Sequence, residues 1–159
     1  LCAKFRNGHF EGVLDIMKRF INLIKPQYIF MGEKDFQQYY LVKKYLQKRN
    51  KSEILKCKTI RDKNFVPLST RNFLLSKKDI NVASKISKYL KKIKFQIINK
   101  KKIDYFLTKV KLGLQKKYKV KIEYLEVRCE KNLESNITNK KFRLFIAYYL
   151  KKIRLIDNL

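Results

Sequence analysis

The 159-residue chain has no tryptophan, two prolines, four glycines and a single histidine, and its 13 acidic residues face 40 lysines and arginines. With one histidine and three cysteines (Cys2, Cys57 and Cys129), far apart and free of any CxxC spacing, neither a zinc site nor a disulfide frame is expected. The cysteines fit a reducing cytoplasm. No apolar run approaches the ~18 residues needed to span a bilayer, so a soluble protein with no membrane partner is expected. There is no internal repeat and no low-complexity linker. The chain begins with Leu1 and shows no signal-like segment, which makes a segment of a longer protein the expectation.

What is abundant is lysine. The formal net charge of +27 admits two readings. One is a nucleic-acid or anionic-membrane partner. The other is coding bias, since the chain is rich in Lys, Ile, Asn, Tyr and Phe, the residues that an A/T-rich genome writes at tolerant surface positions. Lysine is scattered through every predicted element, and the aromatics fall mainly on predicted core stripes. A base-stacking surface needs both gathered on one face. No nucleic-acid partner is therefore expected, and a basic nucleic-acid-binding module stays as the alternative.

Read in order, Leu1 to Phe10 is predicted as loop, with His9 at its end. A lone histidine beside glycine is more often structural than catalytic. From Gly12 to Ile24 the positions Val13, Ile16, Met17, Phe20, Ile21 and Ile24 predict one apolar helical stripe, and Pro26 ends the helix. Tyr28–Met31 is a short strand. Gly32 then allows a sharp turn, and a second helix is predicted from Asp35 to Arg49, packing through Tyr39, Val42, Tyr45 and Leu46. Asp35 and Gln38 have the spacing of a capping-box-like pair. Glu53 to Lys58 predicts another strand.

Helix, strand, helix and strand in this order imply a parallel, doubly wound α/β sheet of which the chain holds the later part. Beyond it, helices at Ser76–Lys94 and Ile103–Lys117 are followed by strands at Lys119–Arg128, Phe142–Leu150 and Arg154–Ile156. These imply an α+β unit with an antiparallel sheet. The two domains are predicted as residues 1–59 and 60–159, and the run Asn99–Lys102 as a solvated turn.

Two stretches carry the chemistry. A strand, a glycine and a helix N-terminus is the layout with which α/β proteins receive phosphates, because amide N–H groups and the positive end of the helix dipole face the anion. Gly32-Glu33-Lys34-Asp35 has that layout, and Lys34 adds a full charge. In Leu68-Ser69-Thr70-Arg71-Asn72, two hydroxyls beside an arginine form a compact donor group suited to phosphate oxygens. The alternative is that Ser69 and Thr70 cap a turn and Arg71 pairs with a surface acid.

GEKDFQQ (Gly32–Gln38) followed by LSTRN resembles the GEKDxQQ and LSSRN pair of the pantothenate synthetases (pantoate–β-alanine ligases). Three other stretches are similar to that family. Arg6–Val13 resembles RPGHFxGV, Ile122–Val127 resembles a DYxxVVD-type strand, and Arg154–Asn158 matches the terminal RLIDN. Ile60–Asn72 resembles the run VRExDGLAxSSRN. The departures are Ala3 for Gly, Asn7 and Lys58 for Pro, Asn64-Phe65 for Asp-Gly, and Thr70 for Ser.

The resemblance implies a Rossmann-like nucleotidyltransferase domain followed by a small α+β lid domain. It also implies ATP-dependent condensation of pantoate with β-alanine through pantoyl adenylate, with Mg²⁺, in a cytoplasmic homodimer. Carried over by position, Gly32, Glu33, Lys34 and Asp35 match the ATP-binding segment. Gln38 matches a pantoate contact, and Ile60 a backbone contact to adenine. Leu68, Ser69, Thr70 and Arg71 match the second nucleotide segment. Lys34 and Arg71 are the expected charge-neutralising pair, and no protein metal ligand is expected. The family's PTMGxLHxGH motif has no counterpart in these residues, so the isolated chain is expected to be inactive. A decayed synthetase is the remaining alternative.

Overall fold

The computed structural model describes residues 1–46, 51–98, 102–137 and 141–159. They form two compact units, Leu1–Thr59 and Ile60–Leu159.

The first unit holds helix α1 (His9–Ile24), strand β1 (Tyr28–Gly32), helix α2 (Phe36–Leu46) and strand β2 (Glu53–Cys57). β1 and β2 are parallel, with Tyr28 opposite Glu53 and Gly32 opposite Cys57. The short 3-10 turn Cys2–Phe5 precedes α1, so the N-terminal stretch is not plain loop. α1 starts at His9 rather than Gly12, because Gly8 takes the left-handed conformation (φ 70°) at the cap position and turns the chain into the helix three residues early.

The apolar stripe of α1 is divided. Phe10 and Ile21 are buried, and Val13, Leu14 and Met17 pack partly against Met31, Val42, Leu46 and Ile54. Ile16, Phe20 and Ile24, predicted on the same stripe, are exposed. A helix 16 residues long can present two apolar faces, and only one meets the strands of this unit. In β1 the alternation places Met31 and Ile29 toward that core, while Tyr28 and Phe30 lie exposed with their rings 6.4 Å apart. A doubly wound sheet covers such a face with a further layer. In α2, Phe36, Val42 and Leu46 are buried, whereas Tyr45 is exposed. The predicted end of that helix, at Arg49, lies outside the described residues.

The second unit is built from helices α3 (Lys77–Ile97) and α4 (Ile103–Tyr118) and strands β3 (Lys121–Cys129), β4 (Phe142–Leu150) and β5 (Ile153–Asn158). The three strands form one antiparallel sheet in the order β3-β4-β5. β4 is central and buried almost throughout. α3 and α4 pack on the sheet through Ala83, Ile86, Leu90, Ile93, Leu107, Val110 and Leu114. Tyr89, between the buried Ser87 and Leu90 of α3, is exposed.

The buried face of α3 instead includes Ser84 and Ser87. Each hydroxyl is satisfied, Ser84 donating to the Asn64 carbonyl (2.6 Å) and Ser87 to Asp157 Oδ2 (3.1 Å). A bulge between Ile122 and Tyr124 shifts the β3 register, so Tyr124 and Leu125 are both buried despite being sequence neighbours. Of the predicted turn 99–102, residues 99–101 lie outside the described residues. No helix among the described residues is long and apolar enough to cross a membrane.

Candidate active site

In the first unit the site begins where β1 ends. Gly32 closes the strand in an ordinary extended conformation (φ −68°, ψ 130°), so it makes no sharp left-handed turn. A Cβ placed on it would meet no heavy atom within 4 Å. Neither backbone conformation nor packing among the described residues calls for glycine here. What the missing side chain leaves is open room beside the strand end.

Glu33–Asp35 form a 3-10 turn that runs directly into α2. The helical run therefore starts at Glu33, with Gly32 at the cap position and no side-chain cap bond. The expected capping pair of Asp35 with Gln38 does not form, because a cap residue must stand outside the helix in extended geometry and Asp35 is already within the turn. Gln38 is thereby released from that capping role. It lies half-buried on the first turn of α2.

Glu33 is held from the side. Lys56 of β2 places Nζ 3.4 Å from Glu33 Oε2 and 5.3 Å from the centre of the Phe36 ring. The parallel pairing of β1 with β2 sets Lys56 opposite Met31, within reach of the turn. Lys34 and Asp35 follow at the positive end of the helical run. Sequence reasoning singles out Gln38 and passes over its neighbour Gln37, whose Oε1 is buried without a hydrogen-bond partner among the described residues. Buried amide oxygens are normally paired. The doubled glutamine of the motif was the available signal.

In the second unit the segment from Ile60 to Leu74 folds as a tight hairpin followed by a 3-10 turn. Arg61 and Pro67 form an isolated antiparallel bridge, and the Leu68 N–H donates to the Ile60 carbonyl at 2.9 Å. Asp62 closes the bend, its Oδ1 accepting from the amides of Asn64 (2.9 Å) and Val66 (2.8 Å). Two predicted nucleotide contacts, Ile60 and Leu68, are thus joined by backbone. The two residues are 71% and 52% exposed, an apolar pair on the surface of the hairpin.

Ser69 caps the following 3-10 turn Thr70–Leu74, its hydroxyl oxygen accepting from the Arg71 N–H at 3.3 Å. The Arg71 guanidinium donates to the Arg154 carbonyl at 3.2 Å. That contact orients the side chain without neutralising its charge, because a carbonyl carries only a dipole. Arg71 and Thr70 are exposed.

The acid at Asp157 is buried and occupied by Arg61. The guanidinium donates from Nη1 to Oδ2 (2.9 Å) and from Nη2 to Oδ1 (2.7 Å). Tyr148 lies in the core of the same unit, and burial, then the Asp157 charge, push its phenol well above the usual value. Among the described residues no three of His, Cys, Asp and Glu gather as a metal cage.

The sequence profile of the family Pantoate-beta-alanine ligase matches residues 1–159. Pantothenate synthetases of Flavobacterium psychrophilum and Clostridium acetobutylicum are 33% and 34% identical, in each case over 99% of the chain and 57% of the relative. Among solved structures, the pantothenate synthetase of Thermus thermophilus superposes with a TM-score of 0.86 at 25% identity, covering 100% of the chain and 58% of that protein. A pantoate-beta-alanine ligase from Francisella tularensis, solved in complex with β-γ ATP and β-alanine, gives a TM-score of 0.71 at 29% identity, covering 100% and 53%. The chain thus spans about 57% of the length of the curated relatives it matches.

Proposed function

Because the chain belongs to the pantoate-beta-alanine ligase family, we propose that it supplies two of the segments with which such a ligase binds ATP and pantoate. The observation that carries this reading is the pair of segments just described. Each has a cation at the start of a helical turn, Lys34 after β1 and Arg71 after the Ile60–Leu68 hairpin, with its backbone set by local hydrogen bonds or strand pairing. The Francisella relative holding an ATP and β-alanine supports the substrate class.

The reaction proposed is adenylation followed by aminolysis. Pantoate's carboxylate attacks the α-phosphorus of MgATP, forming pantoyl adenylate and expelling pyrophosphate. The amine of β-alanine then attacks the acyl carbon, expelling AMP and losing a proton. The first step moves negative charge onto the leaving pyrophosphate. Lys34 and Arg71 are the residues of this chain that stabilise it, as charges fixed before the reaction begins. Gly32 leaves room for the phosphate chain against the backbone, and the dipole of α2 adds to Lys34. Glu33, pinned by Lys56, holds the turn that presents Lys34 and Asp35. Gln38 takes the pantoate side, now unencumbered by a capping role. Ile60 and Leu68 offer the adenine an apolar edge and a backbone rim, while the Ser69 and Thr70 hydroxyls donate to phosphate oxygens. A homodimer in the cytoplasm completes the reading, the latter in keeping with three cysteines far apart in sequence and without CxxC spacing.

The test is AMP formation by the complete gene product supplied with pantoate, β-alanine and MgATP. Lys34→Ala and Arg71→Ala are each expected to lower kcat about 100-fold or more while leaving the thermal midpoint within a few degrees. Full activity in either variant would remove that residue from the assignment. The 159-residue chain alone, which lacks the family's histidine motif, is expected to form no AMP above background.

A further inference from the structure

The second nucleotide segment is carried by a short hairpin whose ends, Ile60 and Leu68, are exposed, and a short hairpin is positioned by what it is tied to. Val66 is buried in the core and Ser84 donates to the Asn64 carbonyl (2.6 Å), and the one ion pair among the described residues that ties the hairpin to the rest of its unit is made by Arg61. The Arg61 guanidinium makes four hydrogen bonds: two to the Asp157 carboxylate, one to the Phe65 carbonyl across its own hairpin (3.1 Å), and one to the Asn158 carbonyl (3.1 Å). The side chains of Arg61 and Asp157 are 13% and 2% exposed. The ring of Phe65 lies 4.5 Å from the guanidinium carbon and covers it.

Asp157 is itself fixed from two further directions. Ser87 of α3 donates to Oδ2 at 3.1 Å, and the Asn158 N–H donates to Oδ1 at 2.7 Å. Its neighbour Asn158 accepts from Arg143 of β4 through Oδ1 at 2.6 Å. The hairpin is thereby tied to the last strand, to the central strand and to the long helix through one ion pair.

We propose that Arg61 and Asp157 form a buried clamp that sets the position of Ile60 and of Leu68–Arg71, and so are positioning residues for the nucleotide in adenylation. Neither touches the nucleotide. The clamp works by geometry: a planar fork on a carboxylate fixes distance and orientation together. Arg71 is oriented by the carbonyl of Arg154, three residues before Asp157 on the same strand. One strand, β5, therefore locates both the hairpin and the cation.

The kinetic arm of this inference rests on the ligase reading; a second arm does not. The variant is Arg61→Met with Asp157→Leu. It removes both charges at once and so avoids stranding either one in the interior. In the complete gene product the KM for ATP is expected to rise about 10- to 100-fold, with the KM for β-alanine within twofold of wild type. In the 159-residue chain, hydrogen exchange at the Leu68 and Asn72 amides, which bond to Ile60 and Ser69, is expected to accelerate about tenfold or more. The Leu144 and Ile146 amides of β4 should keep their protection. Should the double variant fail to fold, Ser87→Ala, which removes one hydrogen bond and no charge, is expected to raise the ATP KM about fivefold. An ATP KM unchanged in a folded variant overturns the clamp. So does unchanged exchange at Leu68 and Asn72. If the wild-type protein forms no AMP, the ligase reading falls and the exchange arm still decides whether the clamp exists.

Discussion

Phe65 occupies a backbone conformation that side chains avoid. Its φ is 69°, in the left-handed region, where a non-glycine residue costs about 1–2 kcal/mol. The family resemblance puts glycine here, which made the position suspect in the sequence, but only coordinates give the sign of φ. They also show the compensation. The Arg61 guanidinium and the Lys91 ammonium lie 4.5 and 5.0 Å from the ring centre, and each such contact contributes about 0.5–1 kcal/mol. The strain and the two contacts are of similar size, so the aromatic is tolerated. Phe65→Gly and Phe65→Ala lose the ring equally, but only alanine retains the strain. Denaturant unfolding should find the alanine variant less stable than the glycine variant by about 1 kcal/mol. Equal stabilities would mean that the turn relaxes once the ring is gone.

At the level of the element, α3 shows how a helix start is written locally. Ser76 stands at the cap in extended geometry, and its oxygen accepts from the Asp79 N–H at 3.2 Å. Asp79 Oδ2 in return accepts from the Ser76 N–H (3.3 Å) and hydroxyl (2.6 Å). Ser76→Ala should cost about 1 kcal/mol, measured by thermal or chemical unfolding. The hydrogen bond from Ser76, then that from Lys151 at 3.0 Å, hold the Asp79 carboxyl below its usual 3.8. A lowered carboxyl pKa stabilises the fold above the unfolded-state value, and the contribution fades as pH falls through the folded one. The stability gap between wild type and Asp79→Asn should therefore be constant from neutral pH to about 5 and shrink below about 4. A gap that widens on acidification would contradict the sign. α1 teaches the converse. Its residues predict an amphipathic helix correctly, yet the stripe alone does not say which of two apolar faces meets the strands, because Ile16 and Phe20 are as apolar as Met17 and Ile21.

At the level of the whole molecule the charge of +27 comes from lysines scattered along the sequence. Several lysines are spent within single elements, Lys43 and Lys44 over the Tyr39 and Tyr40 rings of α2 and Lys109 over Tyr105 of α4. A diffuse cation binds polyanions through counterion release and without preference. Association with random-sequence DNA should fall at least about tenfold between 50 and 200 mM salt, as followed by fluorescence anisotropy. Affinity that survives the higher salt would favour the nucleic-acid alternative.

Local patterns were sufficient for most of the elements, though not for the 3-10 turn Cys2–Phe5, the start of α1 at His9 or the full length of β5, which runs Ile153–Asn158 rather than Arg154–Ile156. Residues Phe142–Leu150 give β4 at its observed ends, Ser76 and Pro26 punctuate the helices, and the order of elements yields a mixed α/β chain with a parallel and an antiparallel sheet. These follow from forces acting over a few residues, where periodicity and capping are decided. The GEKDFQQ and LSTRN stretches likewise carry the family in their residues alone. Partnerships across long sequence separations could not be read that way. Arg61 finds Asp157, 96 positions on, and Ser87 spends its hydroxyl on the same acid. Each depends on which surfaces chain folding brings within a few ångströms, and burial then decides which polar groups must pair.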